Sequence, residues 1–415
     1  MMAKQEGVDP ASVGMSAERL ERIAPAMQGF VDRGVVRGIS TVVARRGRMV
    51  HRGLYGHRDA ETAAAMTDDA IFRIYSMTKP IVSTGLMLLH EEGRFLLDQP
   101  VAAFLPAFAA PKVMNADGSV VDVTAPITIG DLLGHTSGLT YDFMVDNPAA
   151  QLYRDHRVLD DATRTLAECV DLIASLPLAF QPGERFHYSV GIDVAARLIE
   201  VIANQALGDF LAERIFDPIG MADTAFGVPD NQLHQLAAMY GLPDIAGENY
   251  DADDLVKAEL AGFNERIDVS ATYPASTPDV FVRGGHGLFS TIDDYFRFAQ
   301  TLANGGELDG ERIVGRKTLE LMHANRLPPT MLPWEIMGEP TPGFGFGLGS
   351  RVLLDVAASQ GVGSIGEFGW AGAATTYYWV DPAEDLVGVF MTQYMTGPEQ
   401  PDRVFRSVAY QAIAD

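Results

Sequence analysis

The chain has 415 residues, of which 47% are hydrophobic and 21% charged, as in an ordinary globular protein. This length is typical of one large domain or two interleaved ones. The 31 Lys and Arg residues against 55 Asp and Glu give a net charge of −24, which repels nucleic acid and anionic membrane surfaces. The single cysteine, Cys169, excludes an internal disulfide and any paired-thiol metal or redox motif.

The first twenty residues are too polar for a secretory signal, because they carry Lys4, Glu6, Asp9 and Glu18 and have no apolar stretch. No run approaches the roughly 18 apolar residues needed to span a bilayer. We therefore expect a cytoplasmic protein with neither a membrane nor a nucleic acid as partner. The oligomeric state stays open.

Sheet signals lie at both ends of the chain. Residues 17–33 predict a helix, and two apolar runs around the Arg46-Gly47 turn predict a β-hairpin over residues 39–55. Residues 375–380 and 386–392 predict a second hairpin around Asp381-Pro382, followed by a helix over residues 402–413.

The middle of the chain is mostly helical in pattern. The predicted helices cover residues 79–92, 129–133, 159–175, 193–204, 207–216 and 292–304, and residues 106–126 and 242–254 are predicted to be long connections. The expected fold is α/β (α+β), an antiparallel sheet flanked by helices and built from both chain ends, with an inserted all-α region. The corresponding domains are residues 1–78 with 280–415, and a mainly helical insertion over residues 79–279.

One candidate for chemistry is Ser76, at the start of the helix that contains Lys79, which is apolar nearly all round and is therefore predicted to be buried. A serine at a helix N-terminus is near free backbone N–H groups that favour negative charge, and a lysine three residues on shares its face. A desolvated amine can accept or relay the serine proton. Ser-x-x-Lys alone fits equally well an N-cap serine beside a solvated lysine.

Three further motifs along the chain favour a catalytic role of Ser76 and Lys79 over a capping role of the serine. They are Gly134-His-Thr-Ser-Gly-Leu139, Pro182-Gly-Glu with Tyr188-Ser189, and Gly284-Gly-His-Gly-Leu-Phe-Ser-Thr291 with Trp370-Ala-Gly372. Together with Ser76-Met-Thr-Lys79, they make the chain resemble the serine β-lactamase-like superfamily from about Ser16 to its last helix. The resemblance is greatest to family VIII carboxylesterases, which are similar to class C β-lactamases, and to related acyltransferases.

The resemblance implies a set of site residues. Ser76 would be the nucleophile, Lys79 its proton partner and Tyr188 the phenol that handles the second proton. The backbone N–H groups of Ser76 and Ala373 would form the oxyanion hole, with Trp370, Gly372 and Tyr141 beside the substrate.

Two departures from the family pattern bear on the substrate. Trp370-Ala371-Gly372 stands where β-lactamases have Lys-Thr-Gly, and Val190 stands where an asparagine is usual two residues after the tyrosine. Both changes replace polar recognition with apolar surface, which suits an uncharged ester better than an anionic lactam. Tyr141, Phe344, Phe346 and Tyr377 are candidates for an apolar pocket, although aromatics of this kind are more often core.

The sequence gives little support for a Gly-x-Ser-x-Gly hydrolase, a calcium loop or a histidine-based site. No strict Gly-x-Ser-x-Gly occurs, and the nearest match, at residues 187–191, follows a Pro-Gly loop, so Ser189 is interpreted as structural. Asp251, Asp253 and Asp254 are interpreted as a solvated acidic cluster. Histidines without a ligand-like or triad-like spacing, interpreted as satisfied structural side chains, are His51, His135, His286 and His323.

The sequence therefore predicts a serine carboxylesterase that acts on short- to medium-chain esters through a Ser76 acyl-enzyme, with a small-molecule ester as its partner. No nucleotide-binding loop or metal motif is present, and this chemistry requires no cofactor. A β-lactamase or a D-amino acid or peptide amidase of the same fold is the alternative, as is an acyltransferase with an acceptor other than water.

Overall fold

A computed structural model describes residues 8–144, 146–159, 161–241, 265–276, 280–395, 397 and 399–415. Its strands are β1 (Gly38–Arg45), β2 (Arg48–Asp59), β3 (Ala64–Ala65), β4 (Phe72–Arg73), β5 (Lys112–Met114), β6 (Val120–Asp122), β7 (Met239–Gly241), β8 (Arg266–Ile267), β9 (Phe289–Ser290), β10 (Glu307–Leu308), β11 (Glu311–Arg312), β12 (Glu335–Ile336), β13 (Glu339–Pro340), β14 (Phe344–Phe346), β15 (Arg351–Leu353), β16 (Phe368–Gly372), β17 (Thr376–Asp381), β18 (Leu386–Met391) and β19 (Tyr394–Met395).

The α-helices are α1 (Ala17–Leu20), α2 (Ile23–Asp32), α3 (Thr78–Glu91), α4 (Ile129–Leu133), α5 (Ala149–Asp155), α6 (Leu166–Ser175), α7 (Gly191–Ala203), α8 (Leu207–Leu211), α9 (Asp217–Ile219), α10 (Ile292–Ala303), α11 (Arg316–Met322), α12 (Val356–Ser359) and α13 (Pro401–Tyr410). Short 3-10 turns cover Pro10–Val13, Tyr75–Met77, Val101–Ala103, Pro106–Phe108, Asp230–Gln235 and Pro329–Met331, and a π-helical turn covers Ala212–Phe216. Within the described ranges, none of these helices is both long and apolar enough to cross a membrane.

The main sheet is antiparallel and joins the two ends of the chain. Its eight strands run in the order β14-β15-β16-β17-β18-β1-β2-β3. The junction is the pairing of β1 with β18, where Ser40 lies opposite Met391 and Arg45 opposite Leu386. Every residue of β1, β17 and β18 is buried, as expected for central strands covered on both faces.

Alternate side chains of these strands enter two different cores. Val43, Trp379 and Phe390 face the core that the terminal helices cover. Val42, Tyr378 and Val389 face the larger core that the helices from the middle of the chain fill. The period-2 alternation of a strand thus divides the protein into three layers, with the sheet in the middle.

The expected fold class is confirmed, with corrections to single elements. Helix 17–33 is interrupted at residues 21 and 22, which places Pro25 in the first turn of α2, where a missing N–H costs nothing. Helix 159–175 begins only at Leu166, because Thr165 and Glu168 form a reciprocal capping box.

The structure describes one of the two segments that were predicted to be long connections. Residues 106–126 contain the hairpin β5–β6, closed by a turn with Gly118 at φ +80°, so the middle of the chain is not wholly helical. Residues 242–254, and with them Asp251, Asp253 and Asp254, lie outside the described residues. The predicted domain division stays a prediction, and the larger core contains residues of both predicted domains, such as Val42 and Ile81.

Candidate active site

Ser76 lies in the 3-10 turn Tyr75–Met77, which leads directly into α3. The preceding residue, Tyr75, has φ +44°, a left-handed conformation that is costly for a bulky side chain. Such backbone strain concentrates at functional sites, where the surrounding structure enforces it. Helix α3 is buried from Thr78 to Leu89, so Ser76 is fixed at the end of a rigid element.

Lys79 and Tyr188 both reach the Ser76 hydroxyl oxygen. Tyr188 Oη donates to Ser76 Oγ at 2.7 Å, and Lys79 Nζ donates to the same oxygen at 3.1 Å. Lys79 is 1% exposed, and its Nζ also donates to the Gly285 carbonyl at 2.8 Å. The ammonium lies 4.6 Å from the Tyr188 ring centroid, within cation–π range. Two proton-carrying groups therefore meet one hydroxyl in a desolvated site.

The end of strand β16 forms one wall beside Ser76. A Cβ atom on Gly372 would lie 2.3 Å from the Ile74 carbonyl oxygen, so a glycine is needed for this close approach. Thr376 Oγ1 donates to the same carbonyl at 3.3 Å. Trp370, Gly372 and Ala373 all line the cavity that contains Ser76. The strand end predicted to bind substrate is thus held against the segment that carries Ser76.

The cavity has a volume of about 440 Å³ and a largely aromatic and aliphatic wall. Besides Ser76, Tyr188 and the strand end, it is lined by Tyr75, Tyr141, Phe143, Leu159, Thr272, His286, Trp334, Ile336, Met337, Thr341, Arg351, Ala371, Met395 and Arg403. A volume of this size accommodates a small organic molecule.

Of the four aromatics considered for the pocket, Tyr141 lines the cavity and the other three are absent from its wall. Phe346 is fully buried and packs against Trp370, with ring centroids 5.2 Å apart. Tyr377 faces the core of the terminal helices, and Phe344 lies under the Arg351 guanidinium. These three rings pack as aromatics of this kind more often do, because strand alternation directs them away from the cavity.

The histidines near the site are not all satisfied structural side chains. His135 packs against Tyr188, with ring centroids 4.9 Å apart, and its buried Nε2 has no hydrogen-bond partner among the described residues. His286 lines the cavity itself. Burial, and then the charge of Lys79, hold the pKa of both imidazoles well below its usual value. Both rings are therefore neutral at pH 7.

The other two histidines interpreted as structural lie away from the cavity. His51 accepts from or donates to Thr41 Oγ1 at 2.9 Å, and burial lowers its pKa to about 4. His323 stacks on Phe368 with ring centroids 3.4 Å apart, and burial lowers its pKa to about 3. Ser189 is fully buried and accepts from Gly191 N at 3.3 Å.

Several residues of the site were missed by sequence reasoning. Arg351, Arg403 and Trp334 line the cavity, and the Arg351 guanidinium donates to Tyr377 Oη. His286 stands in the Gly-Gly-His-Gly motif, which was a usable signal, whereas nothing local marks the arginines. In the described part of the chain, His, Cys, Asp and Glu side chains form no group of three or more suited to a metal ion.

A serine, a lysine and a tyrosine that converge at the end of a buried helix, beside one strand of an antiparallel sheet, define a serine hydrolase. The chain belongs to the beta-lactamase family, whose family model matches residues 23–412. This confirms the resemblance expected from the four motifs.

Relatives and solved structures cover nearly the whole chain. Protein Rv1367c of Mycobacterium tuberculosis is 34% identical over 371 residues, 88% of this chain and 87% of that protein. Esterase EstB of Burkholderia gladioli is 30% identical over 401 residues, 94% of this chain and 96% of that protein. The structure of EstCE1, described as a hydrolase with promiscuous acyltransferase activity, is 27% identical with a TM-score of 0.75, covering 95% of this chain and 98% of that one.

Proposed function

We propose that this protein is a serine carboxylesterase that hydrolyses short- to medium-chain esters through an acyl-enzyme on Ser76. The observation that carries the proposal is the pair of hydrogen bonds from Tyr188 Oη and Lys79 Nζ to Ser76 Oγ at the floor of a largely apolar cavity. The likeness to EstB and EstCE1 supports an ester as substrate.

In the acylation step, Ser76 Oγ attacks the ester carbonyl carbon while its proton passes to the Lys79–Tyr188 pair. The N–H groups of Ser76 and Ala373 stabilise the oxyanion. Collapse of the tetrahedral intermediate breaks the bond to the alcohol oxygen, which takes the proton from the same pair. A water molecule then attacks the acyl-enzyme by the reverse route and releases the acid.

The surroundings of Ser76 favour an ester over a lactam. Trp370 occupies the place of the lysine that β-lactamases use, and it lines the cavity. Val190 is 1% exposed and absent from the cavity wall, so it supplies no amide for a lactam side chain. Arg351 and Arg403 also lie in the wall, so the lining is not apolar throughout.

The test is a comparison of p-nitrophenyl acetate, butyrate and octanoate with a chromogenic cephalosporin. We expect ester hydrolysis to exceed lactam hydrolysis by orders of magnitude, and Ser76→Ala to abolish both. A fluorophosphonate probe should add its mass to Ser76, which peptide mapping will locate. Equal or reversed rates would overturn the ester assignment, and labelling of another serine would overturn the mechanism.

An acyltransferase reaction differs only in the acceptor, and the likeness to EstCE1 makes it the second candidate. Adding a primary alcohol to the butyrate assay and measuring butyrate ester against free butyrate separates the two. A product that is mostly transferred ester at low alcohol concentration would favour the transferase.

A further inference from the structure

Asp193 is a buried carboxylate that is linked to Lys79 through one residue, Gly285. It lies in the first turn of α7, five residues after Tyr188, and is 1% exposed. Asp193 Oδ1 accepts from the Gly285 N–H at 3.1 Å, and the carbonyl of the same glycine accepts from Lys79 Nζ at 2.8 Å. A single glycine residue therefore connects the carboxylate to the ammonium.

The glycine is held in this place by close contacts on both sides. A Cβ atom on Gly285 would lie 2.7 Å from Asp193 Oδ2 and 2.8 Å from Tyr141 Oη. A Cβ atom on Gly284 would lie 2.3 Å from the Ile192 carbonyl oxygen. Side chains at either position would push this segment away from α7. The Gly284-Gly285 pair thus lets Asp193 and Lys79 share the Gly285 residue.

Part of the carboxylate is poorly satisfied. The Gly284 N–H also acts on the carboxylate, but Asp193 Oδ2 is buried and accepts no hydrogen bond of good geometry from the described residues. Burying such a group has a free-energy cost that a residue serving packing alone would not require. Asp193 interacts electrostatically with four charged or titratable groups, Lys79, Arg283, Tyr141 and Cys169.

We propose that Asp193 is a positioning residue for the hydrolytic reaction, which fixes the Gly285 carbonyl that holds Lys79 and sets the protonation balance of the Lys79–Tyr188 pair. The inference rests on the proposed function of that pair. Asp193 touches neither the Ser76 hydroxyl nor the substrate position, so its effect passes through Gly285 and through its charge.

Burial raises the pKa of the Asp193 carboxyl, and the charge of Lys79, the Gly285 and Gly284 N–H groups and Arg283 oppose that rise. The attraction between a charged Asp193 and Lys79 is mutual. Asp193→Asn removes this attraction and keeps an acceptor for the Gly285 N–H. We therefore expect the acidic limb of the activity profile to move to lower pH in this variant.

The experiment measures kcat and KM for p-nitrophenyl butyrate from pH 5 to 10 in wild type, Asp193→Asn and Asp193→Ala. Asparagine can still accept from the Gly285 N–H but carries no charge. We therefore expect Asp193→Asn to move the acidic limb of kcat/KM down by about half a pH unit or more. Its kcat should fall about tenfold and that of Asp193→Ala about a hundredfold, with KM nearly unchanged in both.

Asp294 provides the matched control. It is also a buried carboxylate in the first turn of a long helix, α10, and it accepts from Asp223 N and Thr224 Oγ1 away from Lys79. Asp294→Asn should lower the melting temperature and leave the pH limb in place. An acidic limb that stays fixed in Asp193→Asn, with activity that follows only the melting temperature, would overturn the positioning role.

Ser76→Ala in the same assay separates the two levels of inference. A serine variant that still turns over the ester would overturn the proposed function. An inactive serine variant combined with an unmoved limb in Asp193→Asn would overturn only the role of Asp193.

Discussion

Gly372 lies so close to Ile74 that a Cβ atom on residue 372 would be 2.3 Å from the Ile74 carbonyl oxygen. This contact places the end of strand β16 against Ile74, which precedes Ser76 by two residues in the sequence. We expect Gly372→Ala to lower kcat about 10- to 100-fold, because a displacement of the strand misplaces Ala373 relative to Ser76. The control is Gly208→Ala, whose added Cβ would meet only Phe226 at 3.8 Å. Equal activity of the two variants would contradict the importance of the contact.

The Tyr188 hydroxyl should matter far more than an average buried phenol. We expect Tyr188→Phe to reduce kcat by about 10²- to 10⁴-fold with an unchanged melting temperature, because the variant lacks the hydroxyl that donates to Ser76 Oγ and is proposed to exchange a proton with it. Tyr240→Phe removes a phenol that donates to, or accepts from, groups far from the cavity, including the Ala60 N–H at 2.8 Å. Steady-state kinetics should show almost no loss for that variant, and a comparable loss would count against Tyr188.

Arg403 predicts a preference for anionic esters. This arginine is exposed and lines the cavity, whereas the guanidinium of the second arginine in the wall, Arg351, donates to Tyr377 Oη. We expect Arg403→Gln to lower kcat/KM for p-nitrophenyl hemisuccinate about two- to fivefold at low salt and to leave p-nitrophenyl butyrate unaffected, because screened surface charges act weakly. Arg48→Gln, an exposed arginine on β2, is the control. A parallel loss on both esters would show that Arg403 acts by packing.

Buried histidines predict that the protein loses stability in mild acid. Burial lowers the pKa of His51 and His187 to about 4 and that of His323 to about 3. The unfolded chain binds protons below about pH 6.5 that the folded chain excludes, so the free energy of unfolding falls as the pH drops from 7 to about 4.

A single substitution checks this dependence. His323→Phe keeps the stacking on Phe368 and removes one titrating group. Urea unfolding between pH 4 and 7 should give a slope shallower by at most about 1.4 kcal/mol per pH unit. A slope identical to that of wild type would exclude His323 as a source.

The last helix is anchored by a buried ion pair, Arg406 with Glu367, at 2.6 Å. Tyr410 Oη donates to the same carboxylate at 2.6 Å and lies 2.7 Å from Asp381 Oδ2. We expect Arg406→Ala to lower the free energy of unfolding by about 3–5 kcal/mol, because Glu367 would be left charged and unpaired. Lys317→Ala, which breaks the exposed pair with Glu320, should cost less than about 1 kcal/mol in the same urea titration.

Much of the sheet could be predicted because hairpins are local. The alternation of apolar residues and the turns at Arg46-Gly47 and Asp381-Pro382 define β1–β2 and β17–β18 from neighbouring residues alone. The predicted helix boundaries were wrong where a capping box or a proline determines the helix start more strongly than apolar periodicity, as at Thr165 and Pro25. Both signals are visible in the sequence.

Only some residues of the candidate site could be predicted from the sequence. Ser76 and Lys79 share one helix, and their contact follows from the spacing, while Tyr188 was placed beside them only by the family resemblance. Asp193, Arg351 and Arg403 come from three different elements, and no local pattern encodes where tertiary packing brings them. For Phe346 and Tyr377 the sequence left both a pocket role and a core role open, because an aromatic residue in a strand gives no sign of which face it takes.

The pairing of β1 with β18 has a consequence for how the protein is made. Ser76 and Ala373 are about 300 residues apart in the chain, and β16 reaches Ser76 only as part of a sheet that needs strands from both ends. Pairings of such long sequence separation form late in folding. Nearly the entire polypeptide must therefore be synthesised before strand β16 can lie beside Ser76, and a chain that stops before β16 contains the serine without one wall of its cavity.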